Sequence, residues 1–186
     1  SLRDGVERAL ENARAVKRIQ FQPIALERLP VHEAEWIMPM GIDPLEVSAG
    51  EKADLLLSII ASARDHGADF CSASLSATCE ERFFANSLGS RIHQTRTRVA
   101  PNFQATAIDR ASGRFATRDC LAPARGAGWD YIVGAGLIEE AAQAGEEARA
   151  KLGAMPGTPG DYGLGIEPTN LWPTLHETVG QSPDLH

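Results

Sequence analysis

Two runs decide the fold: Phe70-Cys71-Ser72-Ala73-Ser74-Leu75-Ser76-Ala77 and Arg91-Ile92-His93-Gln94-Thr95-Arg96-Thr97-Arg98-Val99. The second sets Arg91, His93, Thr95 and Thr97 on one strand face and Ile92, Gln94, Arg96 and Arg98 on the other, because successive strand side chains alternate. Both faces carry polar groups, so this strand is expected to be only partly covered. Residues 81–85, 102–108 and 113–118 are further short segments, separated by turn chemistry at Asn86-Ser87-Leu88-Gly89 and across residues 109–113. Together they read as an antiparallel meander.

Helical signals flank the meander. Upstream, Ser48 precedes Glu51 by three residues as in a capping box, and Leu55, Leu56, Ile59, Ile60 and Ala63 mark one apolar face before Gly67; the spacing predicts a helix over 50–65. Downstream, Tyr131, Ile138, Ala141, Ala148 and Leu152 line a stripe that contains Gly134 and Gly145, with the charged residues largely off it. These small residues allow close packing against a sheet, and Gly153 can end the helix. At the start of the chain, Asp4 ahead of Glu7 and the series Val6, Ala9, Leu10, Ala13, Val16 predict a helix over 4–19. Residues 22–47, broken by Pro23, Pro30, Pro39 and Pro44, read as an irregular connector. The expected class is α+β, an antiparallel sheet covered by two or three helices, with a second unit opening at a short strand over 162–167.

Acidic residues outnumber Lys and Arg 25 to 18, for a net charge of -7, which gives nucleic acid no electrostatic reason to bind. No apolar run approaches the ~20 residues of a membrane span. Cys71, Cys79 and Cys120 are odd in number and have no metal-ligand or redox spacing, and the opening residues do not read as a secretion signal. A cytoplasmic protein with no nucleic-acid or membrane partner is expected.

The chemistry lies near the other end. Thr169 or Asn170 is placed to cap a helix running to Val179, with Pro173 in its first turn and His176-Glu177 on it. Metal hydrolases hold a cation on a neutral imidazole and set a carboxylate beside it to take the proton of bound water. A His-Glu pair alone is more often an ordinary helix surface. A second imidazole four residues on would share the face of His176, but that position is Gly180. Gln181 lies five steps on, ~140° away on a straight helix, so joint ligation requires the helix to end or distort at Gly180. An amide is also a poorer transition-metal ligand than imidazole.

The segment Pro168-Thr169-Asn170-Leu171-Trp172-Pro173-Thr174-Leu175-His176-Glu177-Thr178-Val179-Gly180-Gln181 resembles the metal-site segment of the TldD/PmbA family, whose peptidase members carry HExxxH. Ala73-Ser74-Leu75-Ser76, residues 84–94 and Ala127-Gly128-Trp129 resemble that family's N-terminal domain. The resemblance implies an incomplete N-terminal domain over 1–154, a linker over 155–160 and the truncated start of a C-terminal metal-site domain over 161–186. It implies a metal-dependent peptidase for short or unfolded peptides, a divalent metal that is zinc, and a homodimer or a heterodimer with a related subunit. His176 becomes the first metal ligand and Glu177 the base that activates water. Gln181 departs from the pattern by standing at the second His position, and the family's distal cysteine ligand has no counterpart here. One ligand does not hold catalytic zinc, which takes three protein donors. The chain as given is therefore expected to bind no zinc tightly and cleave no peptide. A non-catalytic partner subunit is the alternative, and the peptidase reading requires His176 and Glu177 to point together into an ion-holding cleft.

Other candidates are weaker. Gly126-Ala127-Gly128 and Gly134-Ala135-Gly136 lack the remaining glycine of a dinucleotide loop. Arg91, Arg96 and Arg98 read as a charged strand edge, His32 with Glu33 and Glu35 as a surface cluster, and His186 as a solvated terminus.

Overall fold

The computed structural model describes residues 1–19 and 29–181. In chain order it contains α1 (Leu2–Arg18), β1 (Glu33–Ile37), α2 (Ala49–Asp65), β2 (Phe70–Ala85), β3 (Arg91–Asp109), β4 (Arg114–Asp119), α3 (Trp129–Gly134), α4 (Leu137–Lys151) and α5 (Pro168–Leu175), the last running into a π-helical turn, His176–Gly180. The class is α+β, as expected, but the sheet is mixed. β3 pairs antiparallel with β2 along the whole of β2, from Phe70 opposite Thr106 to Ala85 opposite Arg91. Its other edge is shared between β1, parallel over Arg91 to Thr95, and β4, antiparallel over Gln104 to Asp109.

The meander has fewer and longer strands than expected. Residues 70–85 are one strand, and so are 91–109, although Pro101 interrupts the second. The register explains the tolerance. Val99 and Phe103 direct their backbone groups to the β1/β4 edge, bonding Arg125 and Cys120, so Pro101, of the same parity, directs its missing N–H there too. It falls in the gap between β1 and β4, where only Val99 and Arg125 form an isolated bridge, and no ladder bond is lost. The gap between the expected segments 70–77 and 81–85 is closed as well, since Thr78, Cys79 and Glu80 lie opposite Arg98, Thr97 and Arg96, and Glu80 bonds Arg96 at 2.7 Å.

Alternation along β3 sends Thr97, Val99, Phe103, Ala105 and Ala107 into the core. Against them pack Ile59 and Ala63 of α2, Trp129 and Ile132 of α3, and Leu137, Ala141 and Ala144 of α4. The opposite sheet face, with Ser72, Ser74, Ser76, Thr78, Asn102 and Gln104, is exposed. Beyond Thr97 the sheet leaves its helical cover, which is why residues 91–96 read polar on both sides.

Ser48 caps α2, its Oγ accepting the Glu51 N–H at 3.1 Å. The Glu51 carboxylate does not return the bond but accepts from Trp129 Nε1 at 3.1 Å, joining α3 to the start of α2. α1 begins earlier than expected because Ser1, not Asp4, is its N-cap, with Asp4 completing the capping box. The single stripe read over residues 131–152 is two helices, since Gly136 takes a left-handed φ of +66° that an α-helix does not contain. Residues 33–37, expected to be irregular, form β1; residues 22–28 of that connector lie outside the described residues. Residues 162–167, expected as a strand, pair with no neighbour among the described residues, and the Tyr162 hydroxyl turns back to the Thr158 carbonyl at 2.8 Å.

Candidate functional site

Pro168 opens α5 with Glu167 as N-cap, two positions ahead of Thr169 and three ahead of Asn170, the expected alternatives, because proline at the first helical position needs no donor and its φ is already helical. Pro173 consequently lies beyond the first turn, inside the helix. The helix then widens. Gln181 N–H donates to the His176 carbonyl at 3.0 Å, an i to i+5 bond, and the five residues His176–Gly180 form a π-helical turn.

That turn changes which side chains meet. On a regular helix residues 176 and 181 diverge, yet here Gln181 Nε2 lies 3.2 Å from His176 Nε2. An amide nitrogen only donates, so in this arrangement Nε2 of His176 accepts and the ring proton sits on Nδ1. The distortion that joint action requires is therefore present, and it spans the whole turn rather than Gly180 alone.

The surroundings differ from the expected cleft. His176, Glu177 and Gln181 are all exposed, and Trp172 and Val179 on the same helix are 68 % and 64 % exposed. Only the beginning of α5 nears the main body, where Thr169 and Asn170 border a groove formed with residues 117–121 and Lys151. Among the described residues no three of His, Cys, Asp and Glu converge as a metal site. One imidazole, hydrogen-bonded to an amide, with a carboxylate next to it in sequence, does not fit a tetrahedral catalytic ion, which takes three protein donors. Within the described residues His176 and Glu177 thus stand on an exposed turn rather than in an enclosed cleft. The physical reason is that no other element of the described chain packs over the π-helical turn.

The remaining candidates disperse. Burial, then the negative charge of Glu140, pushes the Cys120 thiol up to about 11, and burial also raises Cys71. Neither is an activated thiolate. Arg96 and Arg98 both turn to Glu80, at 2.7 and 3.7 Å, so these two members of the basic cluster share one carboxylate of the neighbouring strand. His186 lies outside the described residues. Glu35 does not gather with His32 but reaches Nδ1 of His93 at 3.0 Å, a pairing that sequence reading missed because the two residues are 58 apart. Its signal would have been the β1 to β3 register, which no local pattern reveals.

The structure is an α+β scaffold followed by a short helix that carries His176 and Glu177, with no group of three metal-ligating side chains among the described residues. The chain belongs to the family described as the PmbA/TldA metallopeptidase central domain, whose model matches residues 42–155, from the loop before α2 through α4. The match covers the sheet from β2 to β4 and the helices of the core, and it stops ahead of the π-helical turn. No curated protein and no solved structure matches the chain. No helix among the described residues is long and apolar enough to cross a membrane.

Proposed function

We propose that this chain works within a metal-dependent peptidase of the TldD/PmbA type, acting on short or unfolded peptides, and that by itself it cleaves none. The observation that carries the reading is the π-helical turn, which sets residues 176 and 181 at 3.2 Å on one face as an i, i+5 ligand pair requires. In this reading His176 is the ligand that remains, Glu177 the neighbouring base, and Gln181 stands where a second imidazole is needed. Residues 1–154 are the supporting domain, 155–160 the linker and 161–186 the opening of a C-terminal domain. The metal is zinc, the setting cytoplasmic, and the assembly a homodimer or a pair with a related subunit, with no nucleic-acid or membrane partner.

The test is cleavage of an unstructured fluorogenic peptide by the complete gene product. Gln181→His is expected to introduce hydrolysis that a chelator and a further His176→Ala change both remove. Cleavage by the parent protein that survives His176→Ala would overturn the assignment. The exposed, amide-bonded state of His176 favours a second reading, a non-catalytic partner subunit. Absence of any gain on Gln181→His, with the assembly intact, selects it.

A further inference from the structure

His93 sits on β3 with carboxylates on both sides. Its Nδ1 lies 3.0 Å from Glu35 Oε1 on β1, and its Nε2 lies 2.8 Å from Glu81 Oε1 on β2. The ring stacks on Phe83 of β2, with centroids 4.2 Å apart and planes within 6°. One imidazole therefore joins three strands. Among the described residues this is the only hydrogen bond between a β1 side chain and another side chain of the sheet. All five β1 residues are exposed, so burial contributes little to holding the strand.

The chemistry of the ring decides what the arrangement does. A neutral imidazole has one N–H donor and one lone pair, whereas ionised carboxylates only accept. Two carboxylates can be satisfied together only by the imidazolium. We propose that Glu35, His93 and Glu81 form a proton-dependent clasp that fastens the parallel edge strand β1 to the sheet and releases it when the ring loses its proton.

Among the described residues, the remaining charges on this face of the three strands are Arg91, two residues earlier on β3, and Glu33, its register partner on β1. Register partners Phe83 and Ala85 of β2 and residues Thr95 and Ile37 add none. Desolvation lowers the affinity of His93 for its proton, but the hydrogen bonds and charges of Glu35 and Glu81 outweigh it, and its pKa is raised above 6.5. A raised histidine pKa means that the clasp is complete below the unfolded value and is lost as pH rises through the folded one. A groove of about 510 Å³ beside it, lined by Glu33, Phe83, Phe84 and Ile92 among others, lies at the junction that opens.

The test is amide hydrogen exchange of residues 33–37 between about pH 5.5 and 8.5, corrected for intrinsic rates, alongside an NMR titration of the His93 ring. Protection of β1 is expected to fall several-fold with a midpoint matching the ring, while residues 99–105 stay protected. His93→Gln should leave β1 weakly protected at every pH. Glu35→Gln is the decisive variant: its amide can donate to the lone pair of a neutral ring, so protection at high pH should be retained and the pH dependence flattened. Protection that does not follow the His93 titration in the parent, or a Glu35→Gln protein that keeps the parent's pH dependence, overturns the proposal.

Discussion

Replacing Gly145 by alanine tests how closely α2 and α4 approach. A Cβ at 145 would lie 2.4 Å from the Ala63 carbonyl oxygen and 3.1 Å from that of His66, where ordinary contact begins at 3.4 Å. Both obstacles are backbone atoms of the neighbouring helix and its cap, so no side chain can rotate away. The helices must separate by about 1 Å, the difference between 3.4 and 2.4 Å, which loosens Ile59 and Ala63 against Ala141 and Ala144. Overpacking of this kind costs ~1–3 kcal/mol, and rigid backbone places it near the top of that range. Alanine returns about 1 kcal/mol of helix propensity. The net loss is about 2 kcal/mol, or a Tm lower by roughly 4–8 °C for a chain of this size. Thermal unfolding followed by circular dichroism reads it directly. Gly5→Ala, with open space around the new Cβ, is the control and should not lower Tm. A Gly145→Ala protein as stable as the parent would refute the close crossing of α2 and α4.

Phe103→Ala removes a ring that is 1 % exposed at the centre of the core, and urea unfolding should show a loss of ~3–5 kcal/mol. Hydrogen bonds from Arg96 and then Arg82 hold the Glu80 carboxyl below its usual 4.5. A depressed carboxylate stabilises above its unfolded pKa and loses that effect as pH falls through the folded one, so Glu80→Gln should reduce the drop in urea midpoint below about pH 4.5. Thiol titration with an aromatic disulfide at mildly alkaline pH should modify exposed Cys79 first and Cys120, raised to about 11, last. Cys120 reacting as fast as Cys79 would contradict its placement.

What the sequence disclosed follows physical range. α2 was legible because its cap and apolar stripe are local, whereas the small residues of α4 pointed to close packing on a sheet and Gly145 makes its close approach to Ala63 of the helix α2. The joining of segments into β2 and β3 was not legible, since Pro101 is harmless only where no strand lies beside it, which is a property of the neighbours. β1 carries Glu33 and Glu35 with no buried position and pairs in parallel with residues far along the chain, so neither periodicity nor turn chemistry marks it. The division at Gly136 was hidden because the stripe continues in sequence on both sides. At the candidate site the pair of residues was readable and its geometry was not. A spacing of five excludes a regular helix, and only the π-helical bond from Gln181 to His176 restores the shared face.

Zinc affinity, measured by competition with a chromophoric chelator, tests the central claim that Gln181 leaves His176 without the partners an ion needs. The parent chain and His176→Ala should be indistinguishable, and Gln181→His, with two imidazoles on one face, should bind about tenfold more tightly or better, a gain of at least about 1.4 kcal/mol. A parent chain that holds one zinc ion tightly and loses it on His176→Ala would contradict it.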